Sequence, residues 1–316
     1  MIPTSGAGRL RQLLAAPGTL TVPGAGNALT ARLIEDAGFE VVYLSGAGVA
    51  NTFLGAPDIG LVTLTDIVAH TAALHGAVGI PIIVDADTGF GNAINTWHAV
   101  QSLERAGASA IQLEDQTFPK RCGHFADKTV APASEMVEKI RAARDARRNP
   151  DTVIIARTDS LAIEGVEAAC ERANLYHDTG ADLVFVEGPT SIAEIDHVAR
   201  AVRGPQILNL VEGGSTPILD KAAIEERGFA IALYANLALL AAIESTRAVL
   251  RHLRSADGTA LDRPRTATWA ERQATVRKSW FDDLGARLAD PGQDDEPRVL
   301  TTRIATPESN GHLPTS

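Results

Sequence analysis

Cysteine, methionine and aromatic residues are all scarce in this chain. Its 316 residues include two cysteines, two methionines and only 4% Phe, Trp and Tyr. The two cysteines, Cys122 and Cys170, lie far apart and exclude a disulfide framework. No apolar run approaches the roughly 18 residues that cross a bilayer. The first residues, Met1 to Arg9, lack the apolar core of a secretory signal. Positive charge is in deficit: 29 Lys and Arg face 39 Asp and Glu, a formal charge of −10. That field disfavours nucleic acid and anionic membranes as partners. It leaves room for an anionic small molecule held by a local cationic cluster. A glycine-rich phosphate loop is missing too, since Gly24-Ala25-Gly26 lacks the acidic partner of a dinucleotide site. These absences predict a cytoplasmic protein with free thiols.

What the chain does have is 45% apolar residues against 22% charged, enough for a large core. Eight short apolar runs alternate with longer amphipathic stretches: 20–23, 41–45, 82–85, 110–114, 153–158, 183–187, 206–210 and 229–233. Near-continuous apolar runs suit parallel strands covered on both faces. Helical patterns such as 134–147 and 165–179 lie between them. Ala37-Gly38, Ala106-Gly107 and Thr179-Gly180 place glycine where a left-handed residue closes a helix. Eight such units predict a (β/α)8 TIM barrel within residues 1–290. One helix is expected over about 235–254 and a further single helix over about 269–288. The last exceeds what a plain barrel needs and is a candidate for packing on another subunit. Polar residues 291–316 are expected to form a flexible tail.

In a barrel the chemistry gathers where the strands end. Asp85 and Asp87 are one residue apart. In a regular strand their carboxylates share a face and repel unless a cation lies between them. Hard oxygen ligands suit Mg2+, with Asp58, Glu114 and Glu187 as candidates to complete or orient the shell through water. Helix capping is the competing role for the two aspartates. Arg157 ends an apolar strand, where it could grip a carboxylate or phosphate, or pair with Asp159 or Glu187. Asn209 is a candidate hydrogen-bonding partner for the same substrate group. Lys120-Arg121-Cys122-Gly123-His124 follows the fourth strand; nearby cations lower a thiol's pKa and glycine permits close approach. Cys170, inside a helical stretch, reads as small core filler. His70, His75, His98 and His177 read as surface or packing residues, and Trp97 and Trp269 as packing.

Seven motifs, in this order, resemble the isocitrate lyase/phosphoenolpyruvate mutase superfamily: Y-L-S-G-x-G at 43–48, L-G-x-P-D-x-G at 54–60, D-A-D-x-G-F-G at 85–91, E-D-Q at 114–116, K-R-C-G-H at 120–124, A-R-T-D at 156–159 and N-x-x-E at 209–212. The resemblance covers roughly residues 9–290. It implies a modified barrel whose C-terminal helix is swapped between subunits of a homotetramer, a dimer of dimers. It also implies a carbon–carbon lyase dependent on Mg2+, with Mn2+ as the alternative ion. Such an enzyme cleaves a 2-hydroxy di- or tricarboxylate, of the 2-methylisocitrate or 2,3-dimethylmalate type, to an α-keto acid such as pyruvate plus a carboxylate. Oxaloacetate hydrolase and phosphonomutase are the alternatives within the superfamily. Carried onto this sequence, the resemblance gives the metal to Asp85 and Asp87, with Asp58 and Glu114 acting through water. Tyr43 becomes the base and Cys122 the proton donor to the carbanion, whose charge Lys120, His124 and Arg157 hold. Backbone amides around Ser45, Gly46, Ala47 and Gly123, with Glu187 and Asn209, would bind substrate. Members that take 2-methylisocitrate carry an arginine near the start of the helix after strand eight, where this chain has Leu240. They also tend to read N-x-T-E-F-G where it has Asn209-Leu-Val-Glu-Gly-Gly214. Both departures imply a dicarboxylate substrate or broad specificity.

Overall fold

The computed structural model describes residues 5–121, 123, 128–255 and 264–289. Eight parallel strands close into a barrel in sequence order: β1 (Leu20–Ala25), β2 (Val42–Leu44), β3 (Ile82–Asp85), β4 (Ala110–Glu114), β5 (Val153–Thr158), β6 (Leu183–Val186), β7 (Gln206–Asn209) and β8 (Ile231–Tyr234). The last strand returns to the first, with Leu20 opposite Ile231 and Pro23 opposite Tyr234. The expected TIM barrel is thus the observed fold. Strand ends differ from the expected runs by a residue or two.

Successive side chains on a strand point to opposite faces, and here both faces are apolar. Val22, Tyr43, Ile83, Ile155, Phe185, Ile207, Ile231 and Leu233 fill the barrel interior. Their strand neighbours Val42, Leu44, Ile82, Val84, Ile111, Leu113, Ile154 and Val184 pack under the surrounding helices. This double burial is why the strands read as unbroken apolar runs.

The helices are α1 (Gly6–Ala15), α2 (Ala28–Asp36), α3 (Gly46–Val49), α4 (Leu64–Ala77), α5 (Ala93–Ala106), α6 (Ala133–Ala146), α7 (Leu161–Glu164), α8 (Val166–Thr179), α9 (Ile192–Ala201), α10 (Lys221–Glu226), α11 (Leu237–Ser255), α12 (Trp269–Thr275) and α13 (Lys278–Ala289). Short α1, absent from the sequence expectations, inserts Leu10 among the interior residues with Val41, just before β2, and the strand starts Ala110 and Val153. Gly107 and Gly180 close α5 and α8 in the left-handed conformation, as their positions predicted. Gly24 and Gly26 serve close packing: a Cβ at Gly24 would strike the Ala235 carbonyl, and one at Gly26 the backbone of Gly48.

The single helix expected over 269–288 is instead two, α12 and α13. The chain breaks at Arg277, a non-glycine residue at φ 54°. Its guanidinium is held by Glu35 Oε2 and Asp36 Oδ1, each at 3.2 Å. Those ion pairs to α2 favour the bend over helix continuation. Trp269, expected to pack, is 71% exposed, with the Arg272 guanidinium over its ring. None of α11, α12 and α13 contains a residue buried within this chain. The expected tail at 291–316 lies outside the described residues.

Candidate active site

The inward-facing positions that fill the barrel turn polar at its C-terminal end. Tyr43 and Ser45 continue β2, Asp85 ends β3, and Gln112 and Glu114 end β4. Arg157, Glu187 and Asn209 occupy the same parity on β5 to β7. All eight side chains are buried. Most of them line one pocket with Ala47, Asp58, Lys120, Gly123, Phe185, Leu233, Ala235 and Asn236. The space left free is about 30 Å³, room for roughly two waters.

Asp85 and Asp87 do converge, but not by strand alternation. The strand ends at Asp85, and Asp87 sits in the left-handed region at φ 48°. That turn brings the carboxylates together over Gly46, where an added Cβ would stand 3.1 Å from both Asp85 Oδ2 and Asp87 Oδ1. Neither aspartate caps the following helix; Asn92 does so, accepting from the amides of Ile94 and Asn95. The capping alternative is therefore excluded.

A cation already bridges this region. Lys120 Nζ lies 2.6 Å from Asp58 Oδ1 and 2.8 Å from Asp87 Oδ1. Burial works to lower the Lys120 pKa, yet Asp87, Glu114, Asp85 and Asp58 together hold it well above the usual lysine range. Burial pushes Asp87 up to about 7 despite Lys120 beside it. Glu114 is raised too, chiefly by burial and against the pull of Arg157. The Tyr43 phenol is held well above its ordinary value by burial and by the neighbouring Asp85 carboxylate.

Arg157 realises its expected pairing. Its Nε and Nη2 bind Asp159 at 2.8 and 2.9 Å, with Glu114 at 3.5 Å and Glu187 at 4.0 Å. Asn209 Nδ2 reaches both Glu187 oxygens at 3.4–3.5 Å. Gly46 N donates to Asp85 Oδ2 at 3.3 Å, so this amide also steadies a carboxylate. Cys122 and His124 lie outside the described residues. Gly123 bears directly on the pocket: a Cβ there would collide with Arg157 Nη2 and crowd Glu187. Lys128 Nζ donates to the Gly123 carbonyl and to Asp159 Oδ1.

The donor set fits a hard divalent cation. Glu114 Oε1 and Gln112 Oε1 are buried without a hydrogen-bond donor, and Asp87 Oδ1 has only the Lys120 ammonium beside it. Unsatisfied buried oxygens next to two converging carboxylates are what a cation and its waters would satisfy. Among the described residues no group of three or more His, Cys, Asp or Glu encloses a single point. A shell of two carboxylates completed by waters and substrate is the arrangement Mg2+ favours.

Four contributing residues carry no role in the sequence reading. Gln112 Nε2 donates to Asp85 Oδ1, and its inward parity was the available signal. Asn236 accepts from Ser45 Oγ at 3.1 Å. Lys128 pairs with Asp159. Asp115, named only as part of E-D-Q, is a hub behind the site: Oδ2 accepts from Thr158, Tyr176 and Arg172, and Oδ1 from the amide of Asp159.

A TIM barrel with converging carboxylates and an arginine at its mouth defines a metal-assisted enzyme of small carboxylic acids as the class to test. Residues 10–254 match the sequence profile described as phosphoenolpyruvate phosphomutase, and the chain belongs to that family. It is 41% identical to a 2,3-dimethylmalate lyase of Eubacterium barkeri over 80% of this chain and 88% of the relative. It is 43% identical to a 2-methylisocitrate lyase of Aeropyrum pernix, over 77% of this chain and 78% of that protein. A solved phosphonopyruvate hydrolase in complex with oxalate and Mg2+ superposes with a TM-score of 0.82 at 30% identity, covering 90% of this chain and all of that one.

Proposed function

We propose that this protein is a Mg2+-dependent carbon–carbon lyase that cleaves a 2-hydroxy di- or tricarboxylate to an α-keto acid and a second carboxylate. The observation that carries the reading is the convergence of Asp85 and Asp87 at Gly46, opposite Arg157. A cation held there would polarise the substrate's hydroxyl oxygen as a Lewis acid and reverse the charge felt by Tyr43, favouring its phenolate.

The chain's own residues would divide the remaining work. Arg157, Asn209 and the amides near Ala47 and Gly123 would hold carboxylate oxygens. Tyr43 would accept the hydroxyl proton. As the carbon–carbon bond breaks, its electron pair remains on the carbon beside the departing carboxylate. The Cys122 thiol would then protonate that carbon, so atoms and charge balance without an oxidant or reductant. Lys120 and His124 would hold the developing negative charge. For Lys120 this requires leaving its bridge between Asp58 and Asp87 as substrate and ion enter.

The same reading makes the protein a cytoplasmic homotetramer, a dimer of dimers with its C-terminal helices exchanged. The lack of any buried residue in α11 to α13 within one chain supports it. The test is release of α-keto acid from 2,3-dimethylmalate and 2-methylisocitrate, coupled to lactate dehydrogenase, with and without EDTA. Cys122→Ser should keep ion and substrate binding and lose most turnover. Undiminished turnover in that variant would remove the thiol from the mechanism.

A further inference from the structure

Lys128 is a buried cation that the proposed chemistry does not use. Its side chain is 3% exposed, and a lysine is costly to bury unless its charge is compensated. The backbone fixes where it stands. The chain after β4 doubles back: the Thr117 amide donates to the Thr129 carbonyl at 2.9 Å, and the Ala131 amide to the Asp115 carbonyl at 2.8 Å. Gln116 holds the outgoing limb through both the amide and the carbonyl of Arg121. From that base Lys128 Nζ donates to Asp159 Oδ1 at 3.1 Å and to the Gly123 carbonyl.

Two cations therefore share Asp159. Arg157 commits Nε and Nη2 to it, and Nη1 is the guanidinium nitrogen that Asp159 leaves unengaged. Burial works to raise the Asp159 pKa, yet Arg157 and Lys128 bring it below the ordinary carboxylate value. A buried carboxylate clamped on an arginine cancels the field that the arginine would offer a second anion. Glu114 at 3.5 Å and Glu187 at 4.0 Å weaken that field further. Lys128 offsets the loss from behind. Arg157 and Asp159 alone sum to zero, and Lys128 returns one positive charge to the group. The same ammonium fixes Gly123, whose α-carbon packs so closely on Arg157 that a Cβ would strike Nη2.

We infer that Lys128 is a positioning residue for substrate binding: it neutralises Asp159 behind Arg157, so that the guanidinium keeps its charge for an incoming carboxylate, and it fixes Gly123 against that guanidinium. Lys128 acts through Arg157 and does not touch the acid. This deepens the lyase reading and rests on the carboxylate grip that reading gives Arg157. A neutral residue at position 128 leaves Asp159 bound to Arg157, with the Asp159 amide still held by Asp115 Oδ1. The fold should therefore survive while the grip weakens.

The test is calorimetric binding of oxalate to the full chain with Mg2+, beside the melting temperature. Oxalate is a small dicarboxylate whose binding needs no bond cleavage. Lys128→Met should bind it about tenfold more weakly than wild type. Lys128→Arg restores the charge and should bind within about threefold of wild type; a role confined to packing gives no such rescue. On whichever 2-hydroxy acid is cleaved, Lys128→Met should raise KM about tenfold and leave kcat within about threefold. A folded Lys128→Met protein whose oxalate affinity stays within about twofold of wild type overturns the inference. So does a fall in kcat at unchanged KM, or a folded Lys128→Arg protein as weak as Lys128→Met. If the methionine variant does not fold, Lys128→Gln, which keeps a donor without the charge, takes its place under the same criteria. A wild type that fails to bind oxalate with Mg2+ removes the grip of Arg157 and this inference with it. A wild type that binds oxalate but cleaves no 2-hydroxy acid refutes the lyase reading alone, so the two failures are distinguishable.

Discussion

Substituting Gly46 by alanine tests the placement of the ion most directly. The new methyl would stand 3.1 Å from Asp85 Oδ2 and from Asp87 Oδ1, where ordinary contact begins at 3.4 Å. The two carboxylates must retreat by roughly 0.3 Å. Mg2+ demands oxygen ligands at about 2.0–2.1 Å with a tolerance of about 0.2 Å, so the substitution should weaken Mg2+ about 10- to 100-fold. Folding should be spared. Gly46 is not among the positive-φ glycines and begins helix α3; there alanine is the better helix former by as much as about 1 kcal/mol. The assays are Mg2+ titration of keto-acid release, calorimetric Mg2+ binding and the melting temperature in EDTA. An activation constant within about twofold of wild type would place the ion elsewhere. A large fall in the metal-free melting temperature would show that the glycine serves folding instead.

Three further outcomes are expected. Lys120→Met leaves Asp58 and Asp87 facing each other unpaired, so the metal-free protein should lose about 3 kcal/mol, and Mg2+ should raise its melting temperature more than that of wild type; an equal rise would contradict the bridging role. Tyr176→Phe removes the 2.8 Å bond to Asp115 Oδ2 and should cost about 1–2 kcal/mol in urea unfolding, whereas Asp115→Ala, which orphans all its donors, should also abolish turnover. Burial, then Glu167, pushes the Cys170 thiol up to about 11, so iodoacetamide at pH 8 should leave it unmodified in the native protein while labelling Cys122. Because the folded pKa is raised, the contribution of Cys170 to stability is complete below about pH 9 and lost as pH rises through 11.

The barrel was legible because its strands are buried on both sides, so each appears as a short apolar run of distinctive length. Asp85, Glu114, Arg157 and Glu187 were legible as polar residues that end apolar runs, whereas their common inward parity shows only in the register of the strands. What escaped depended on partners distant in sequence. The break at Arg277 is set by Glu35 and Asp36, more than 240 positions earlier. Asp58 and Lys120 meet only because the chain after β4 folds back over the mouth. The Asp115 hub needs Tyr176 and Arg172 from α8, and no local pattern announces them. Asn236 follows a strand end without any motif, and its orientation depends on Ser45, which follows β2 at the same end of the barrel but 191 positions earlier.

Glu114 and Asp115 are neighbours in sequence, yet they face different compartments. Glu114 looks into the mouth and lies 3.5 Å from Arg157; Asp115 looks outward and binds the helical layer through Tyr176 and Arg172. A one-residue shift of β4 against β5 in one direction would put Asp115 in the mouth and Glu114 in the apolar place of Leu113; in the other direction it would put Leu113 in the mouth and Glu114 among donors spaced for aspartate. Alternation within a single dipeptide thus acts as a key for the strand register: a mispaired barrel would lose its outer fastening and its inner chemistry together.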